Sequence, residues 1–266
     1  MSAQVAIVFA LTFVIHLVGT LAYALRIAGV RTGRVAVSYA LFNVLMLVSR
    51  TSNTFQGPLL AKHVEENILR GTTEGAEADF RWLILAASLA ATAGALLVPT
   101  AQRVFTAAIE SFGRRRSVPR LLLAGLSPAG LRRVRRAARV PARENLTGLR
   151  LRGAPLRVAC YNVLATALIT VGVFASLHAG YLNPELRVTA NSLSPVVNGL
   201  STVLLFVYID PYLSILTDDV VAGRATEAFF RRAVVLFAGG RLLGTLLAQP
   251  LLVPAAEVIV RVAKLL

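Results

Sequence analysis

Runs of predominantly apolar residues, each long enough to cross a bilayer as a helix, decide what this chain can become. A hydrocarbon core about 30 Å thick takes about 20 helical residues to cross. Such runs fall at Gln4 to Leu25, Val35 to Leu60, Trp82 to Thr100, Arg157 to Leu177, Leu193 to Thr217 and Ala233 to Val260. With 56% of its 266 residues hydrophobic and a mean hydropathy of +0.68, the chain lacks the polar surface of a soluble domain. The pattern predicts an all-α polytopic membrane protein: six transmembrane helices in a single transmembrane domain over residues 1–266. The first run has no basic leader and exceeds the apolar stretch of a signal peptide. It also lacks a convincing cleavage site before Arg26, which predicts a retained span. The second is apolar from Val35 to Ser49 and continues as RTSNTFQGPLL. Its polar residues and Gly57-Pro58 predict an interrupted helix lining a cavity.

Charge sorts the connections. Lys and Arg outnumber Asp and Glu by 28 to 13, and the excess is confined to alternate loops. Arg26, Arg31 and Arg34 lie in the first, fourteen arginines against Glu110 and Glu144 in residues 103–157, and Arg224, Arg231 and Arg232 in the fifth. The other two, Ala61 to Arg81 and His178 to Ser192, are slightly acidic or short. The positive-inside rule then predicts an N-out, C-out topology with the Arg-rich loop in the cytoplasm. Within that loop, SPAGLRRVRRAARVP offers Ser127 as an N-cap and Pro128 at the first helical position. This predicts a basic amphipathic helix on the anionic lipids of the inner leaflet; a solvated topogenic charge run is the plainer reading. A glycosylation sequon at Asn145 carries no meaning on a cytoplasmic loop. Basic residues set between apolar spans leave no soluble face to follow a nucleic acid. The single cysteine, Cys160, has no partner for a disulfide or metal site and is expected to be a small core residue.

Ionisable groups inside a span are costly and mark candidate sites. His16, Asp210 and Arg241 are the clearest, joined by Asn43. Counted from the basic ends, all four fall about 12 to 15 Å deep, in one layer near the bilayer centre. The functional reading is a polar lining through which an anionic headgroup passes. The structural reading is that Asp210 and Arg241 neutralise each other and lock the fifth span to the sixth, with His16 and Asn43 as interhelical hydrogen-bonding groups. Helical spacing supports inward polar stripes: His16, Thr20 and Tyr23; Asn43 and Arg50; Arg241, Thr245 and Gln249; Ser194, Asn198, Ser201 and Thr202. Arg50 falls about 24 Å along the second span, towards the outer leaflet, as a phosphate contact or a helix-end anchor. Gly240 and Gly244 read as a close-packing pair, and His63 and His178 as incidental loop residues. Phosphate-loop, zinc-site and nucleophile-elbow motifs are missing. The sequence therefore calls for neither an enzyme nor a metal nor any other cofactor.

The strings HLVGTLAYALRIAGVRTGRVAVS from His16, LFNVLMLVSRTSNTFQGPLL from Leu41, GYLNPELRVTANSLSPVVNGLSTVLLFVYIDP from Gly180 and GRLLGTLLAQ from Gly240 closely resemble the Amj family. That family comprises alternate lipid II flippases of bacterial peptidoglycan synthesis. The resemblance spans the chain apart from the basic middle loop, and it covers Arg50, Asn53, Gln56, Asn183, Pro184, Arg187, Asp210 and Arg241. It implies movement of an undecaprenyl-diphosphate-linked precursor from the inner to the outer leaflet of the bacterial inner membrane; the missing phosphate loop fits that role, and cell-wall synthesis proteins are candidate partners. The candidate path runs from Arg26 and Arg31 at headgroup entry through His16, Asn43, Asp210 and Arg241 to Arg50 and Asn53, with Asn198 and Gln249 on the same inward stripes. A transporter of another polyprenyl phosphate or of a small anionic solute, a membrane-embedded lipid-phosphate enzyme, and a non-transporting scaffold stay open as rivals.

Overall fold

The computed structural model describes residues 3–72, 74–115, 124–125, 127–139 and 155–266, and its regular elements are all helical. In chain order they are α1 (Ala3–Thr32), α2 (Val35–Leu69), α3 (Ala76–Arg115), α4 (Pro128–Ala137), α5 (Leu156–Leu182), a 3-10 turn at Pro184–Leu186, α6 (Arg187–Ser192), α7 (Ser194–Val203), a π turn at Leu204–Ile209, α8 (Asp210–Val221) and α9 (Glu227–Leu265). Six are long and apolar enough to cross a membrane once the pieces from Pro184 to Val221 are taken as one jointed fifth span. Several helices outrun their apolar stretches. At 40 and 39 residues, α3 and α9 extend about 60 Å, about twice the hydrocarbon thickness. Hydropathy marks what the bilayer covers, while the helix continues beyond it as long as each residue tolerates helical geometry.

The interruption expected in the second span is not there: α2 is continuous through Gly57 and Pro58. Its polar residues are absorbed without a break. Ser52 and Thr54 donate back to the carbonyls of Val48 and Arg50, and Gln56 reaches Thr12 of α1 at 3.2 Å. The irregular span is the fifth. Pro184 and Pro195 begin its first turns, and Pro211 follows a π turn in which the Asp210 N–H bonds Leu205 O, one residue beyond the α-helical partner.

Four helices make the packed body. α1 lies against α3, α5 against α9, and α9 against α3. Small residues permit the close approach. Ala86, Ala87, Ala90 and Ala91 are buried on α3, and a Cβ added at Gly94 would collide with the Thr20 side chain. The Gly240 and Gly244 pair works the same way against α5, where added Cβ atoms would meet Asn162 Nδ2 at 2.7 Å and Val163 O at 2.6 Å. Cys160, expected in the core, is instead exposed near the start of α5; the apolar run around it did not reveal which face turns inward.

The remaining two spans flank this body. Only 17% of the most apolar window is buried in α2 and in the fifth span, against 33% to 56% elsewhere. α2 folds back on α1 through Gly33, whose φ of +63° suits glycine. Ser38 Oγ donates to Leu25 O at 2.6 Å to hold the hairpin. The fifth span is fixed to α5 by Ser201 Oγ, which donates to Ala165 O at 2.7 Å. Among the described residues α2 and the fifth span do not pack along each other. At the far end from the basic loops Leu60 and Val64 of α2 join a buried cluster with Val171, Phe174 and Leu177 of α5 and Ala190 of α6.

In the basic loop, Ser127 caps α4 as expected, its Oγ accepting from Gly130 N, and Arg132, Arg133, Arg135 and Arg136 stand exposed. Thr100 of α3 holds the far end, donating to Arg139 O and accepting from Arg139 N. Asn145 lies outside the described residues.

Candidate functional site

On α2, the residues Tyr39, Asn43, Met46, Arg50, Asn53 and Gly57 follow i, i+4, i+7, i+11, i+14 and i+18 and so share one face. The adjacent face, with Ser38, Leu41, Ser49, Ser52, Gln56 and Leu60, is buried. Asn43, Arg50 and Asn53 are exposed. Tyr39 fixes which way this polar face turns, because its hydroxyl meets Ser214 Oγ of α8 at 2.7 Å. The stripe therefore looks across towards the fifth span. Among the described residues the two spans share no packed seam, and the space between them, beside the four-helix body, is the candidate groove.

Depths can be read from the α1–α2 hairpin. Ser49 Oγ lies 3.5 Å from Ile15 O, which brings Arg50 to the level of His16. The sequence count had separated them by about 10 Å. That count took Arg26 as the membrane edge, but α1 runs on to Thr32. His16 is sixteen residues from Thr32, as Arg50 is from Arg34, or about 24 Å in each case.

The expected four-residue layer divides in two. Arg241 does not meet Asp210. It crosses from α9 to α1, where a Cβ at Gly19 would overlap its guanidinium, and it is the charged neighbour of His16 and of the Tyr23 hydroxyl. Arg241 Nε and His16 Nδ1 are buried without a hydrogen-bond partner, and Arg241 has no acidic partner among the described residues. Asp210 lies nearer the basic ends, where Arg26 Nη2 donates to its Oδ1 at 2.7 Å. Arg26 is itself only 7% exposed, so it is not an open entry residue in this conformation. Its Nη1 donates to the Tyr39 hydroxyl at 3.0 Å, and its guanidinium lies 5.3 Å and 5.5 Å from the Tyr39 and Phe42 ring centroids. Arg31 is more accessible and pairs with Glu227 at 2.8 Å.

Two other site residues are placed against the body. Asn198 Oδ1 is buried and unpartnered beside Gly172 of α5. Gln249 leaves the Arg241 stripe altogether: its Nε2 donates to Arg81 O at 2.9 Å and Arg81 Nη1 donates to Gln249 O at 3.2 Å, tying α9 to α3. Four-residue spacing put Gln249 near Arg241 in angle, but the neighbouring helix differs at its depth.

Sequence reasoning missed Asn162, Tyr39 and Ser214. Asn162 is fully buried, accepts from the Tyr23 hydroxyl at 3.0 Å and donates to Phe237 O at 2.8 Å, joining α1, α5 and α9. It was visible as a carboxamide inside an apolar run. His63 and His178 lie in helices α2 and α5, not in loops. His63 Nε2 and Asp79 Oδ2 are 3.2 Å apart, Asn67 bonds His63 and Tyr181, and His178 packs edge-on against Phe80.

The arrangement offers a candidate groove with the exposed Arg50 on its α2 side and a closed polar contact at its basic end, while the Arg241 guanidinium lies in the adjoining body against α1. No solved structure matches this chain. It is similar to a curated protein named lipid II flippase Amj from Bacillus subtilis (strain 168), with 34% identity over 264 residues, covering 99% of this chain and 98% of that protein. The family model described as Amj, alternate to MurJ, matches residues 11–263, which include both walls of the groove and the body that floors it. The chain belongs to the Amj family.

Proposed function

We propose that this chain is a lipid II flippase of the bacterial inner membrane, moving the undecaprenyl-diphosphate-linked precursor from the inner to the outer leaflet. The full-length similarity to a protein of that name carries the reading. A headgroup with two phosphates, two sugars and a peptide is too large for six helices to enclose together with its tail. The tail therefore stays in lipid while the headgroup follows the groove between α2 and the fifth span.

The basic connections support a topology with α4 and the α1–α2 and α8–α9 turns in the cytoplasm and both termini outside. Arg31 and the arginines of α4 meet the anionic inner leaflet and the incoming phosphates. Asn43, Arg50 and Asn53 line the α2 wall, while Asn198 turns its Oδ1 into the seam with α5. Arg241 and His16 supply polar groups at the depth of Arg50. Phosphates stay ionised throughout, so a lining richer in Arg than in acids lowers the barrier at the bilayer centre. Arginines without an acidic partner among the described residues favour this reading over a scaffold, and a groove open to lipid would suit a lipid-linked substrate better than a small solute in a sealed pocket.

The deciding experiment expresses this chain alone in bacteria depleted of their other lipid II flippases. Continued wall synthesis with labelled precursor reaching the outer leaflet is expected; arrest of both, with the protein present in the membrane, contradicts the proposal.

A further inference from the structure

We propose that Arg26 and Asp210 form a latch that the substrate's own phosphate releases. The inference rests on the flippase reading above and assigns roles in it to Arg26, Tyr39, Asp210 and Ser214.

The two walls are joined near their basic ends. Tyr39 of α2 and Ser214 of α8 share a hydrogen bond of 2.7 Å, and the same tyrosine hydroxyl accepts from Arg26. Arg26 in turn holds Asp210 at 2.7 Å. A single guanidinium on α1 thereby fastens both walls to the floor. Its two ends are not equally protected, since Arg26 is 7% exposed while Asp210 is 35% exposed. The acid can rehydrate when released, but the cation needs a replacement anion, because an unpaired charge there is strongly disfavoured.

A phosphate is the natural replacement. Asp210 occupies Arg26 through one oxygen, whereas a phosphate presents several to the planar fork and carries at least equal charge. Competition for Arg26 would free Asp210 and, with it, the Tyr39–Ser214 contact. The fifth span is jointed for such a movement. The π turn at Leu204–Ile209 ends directly at Asp210, and Pro211 follows, so α8 can swing while Ser201 keeps α7 fixed to α5. An uncharged polyprenol has nothing to offer Arg26 and leaves the latch shut.

The test uses the full chain in lipid nanodiscs with Cys160→Ser, Ala40→Cys and Ile215→Cys. Ala40 and Ile215 are exposed positions beside the two sides of the latch. The distance between spin labels there is followed with a polyprenyl diphosphate, with the polyprenol of equal tail length and with inorganic pyrophosphate. The diphosphate lipid should add a longer-distance population, and the polyprenol should not. Pyrophosphate acting equally well would support the latch as a response to free phosphate oxyanions, while pyrophosphate without effect would tie release to the lipid-anchored group. Asp210→Asn removes the competitor and should tighten diphosphate-lipid binding by about tenfold, the effect of one charge-assisted hydrogen bond no longer to be displaced. Arg26→Gln should weaken that binding and give the longer population without ligand. A purely structural pair predicts weaker or unchanged binding in Asp210→Asn, and that result overturns the latch. So does an unchanged distance distribution in a protein that binds the diphosphate lipid and sustains wall synthesis. Failure of the unmodified chain to sustain wall synthesis counts against the flippase reading instead.

Discussion

The hydrogen-bonded carboxamides of the four-helix body contrast with the exposed polar stripe of α2. In the body, Asn162 is satisfied from two helices, Gln249 exchanges hydrogen bonds with Arg81, and alanine and glycine bring the backbones together. On the flanking α2, Asn43, Arg50 and Asn53 occupy an exposed stripe that the packing does not use. Interhelical hydrogen bonds in membranes contribute about 0.6 to 2 kcal/mol each, enough to fix a body built from several of them. An unpaired arginine contributes nothing of that kind and costs several kcal/mol at the bilayer centre unless water or an anion meets it. The contrast separates residues that hold the fold from residues free to meet a substrate.

Asn162→Leu should break the comparison on the body side most severely. It removes both hydrogen bonds and places a branched chain against Gly240, for a loss of about 3 to 5 kcal/mol. Accumulation of folded protein should collapse, whereas Asn53→Leu on the exposed stripe should leave it unchanged; quantitative blotting of membranes with size-exclusion profiles checks both.

Charge reversal comes next. Arg50→Glu should reduce transport to background while the protein still inserts and accumulates, and Arg50→Lys should keep part of the activity, because Lys retains the charge but loses the planar fork. Transport of labelled precursor, normalised to protein in the membrane, measures the pair of changes. Full activity in Arg50→Glu would remove α2's stripe from the path.

The fold was legible where apolar runs speak for themselves. The six spans and the Ser127 cap could be read because length and capping chemistry are local. Partners were not legible. Asp210 and Arg241 looked like a pair because both were charged and similarly placed in their spans, but counting along single helices cannot say which faces meet. The error at Arg26 was of the same kind: an arginine after an apolar run reads as a membrane edge, and α1 continues another turn and a half beyond it. Pro58 misled in the opposite way, since α2 runs on through it as a continuous helix.

Orientation offers a sharper check on which end of the groove is closed. In a Cys160→Ser background, a cysteine at Arg133 should react with membrane-permeant reagents only, and one at Leu69, exposed at the far end of α2, with impermeant reagents from outside. The reverse pattern would place the Arg26–Asp210 contact on the outer side. The smallest effect belongs to Gln249→Ala, which should lower thermal stability by about 1 kcal/mol through its lost bond to α3 and leave transport intact.

Site-specific photocrosslinking tests the groove itself most directly. A photoreactive residue is placed at Asn43 or Asn53 on the stripe, and as a control at Leu89 or Leu96, exposed positions on α3. Each protein is then illuminated in membranes making precursor labelled in its sugar headgroup. Label should attach at Asn43 and Asn53 and not at the α3 positions. Equal labelling at all four positions, or labelling at α3 alone, would contradict a path between α2 and the fifth span.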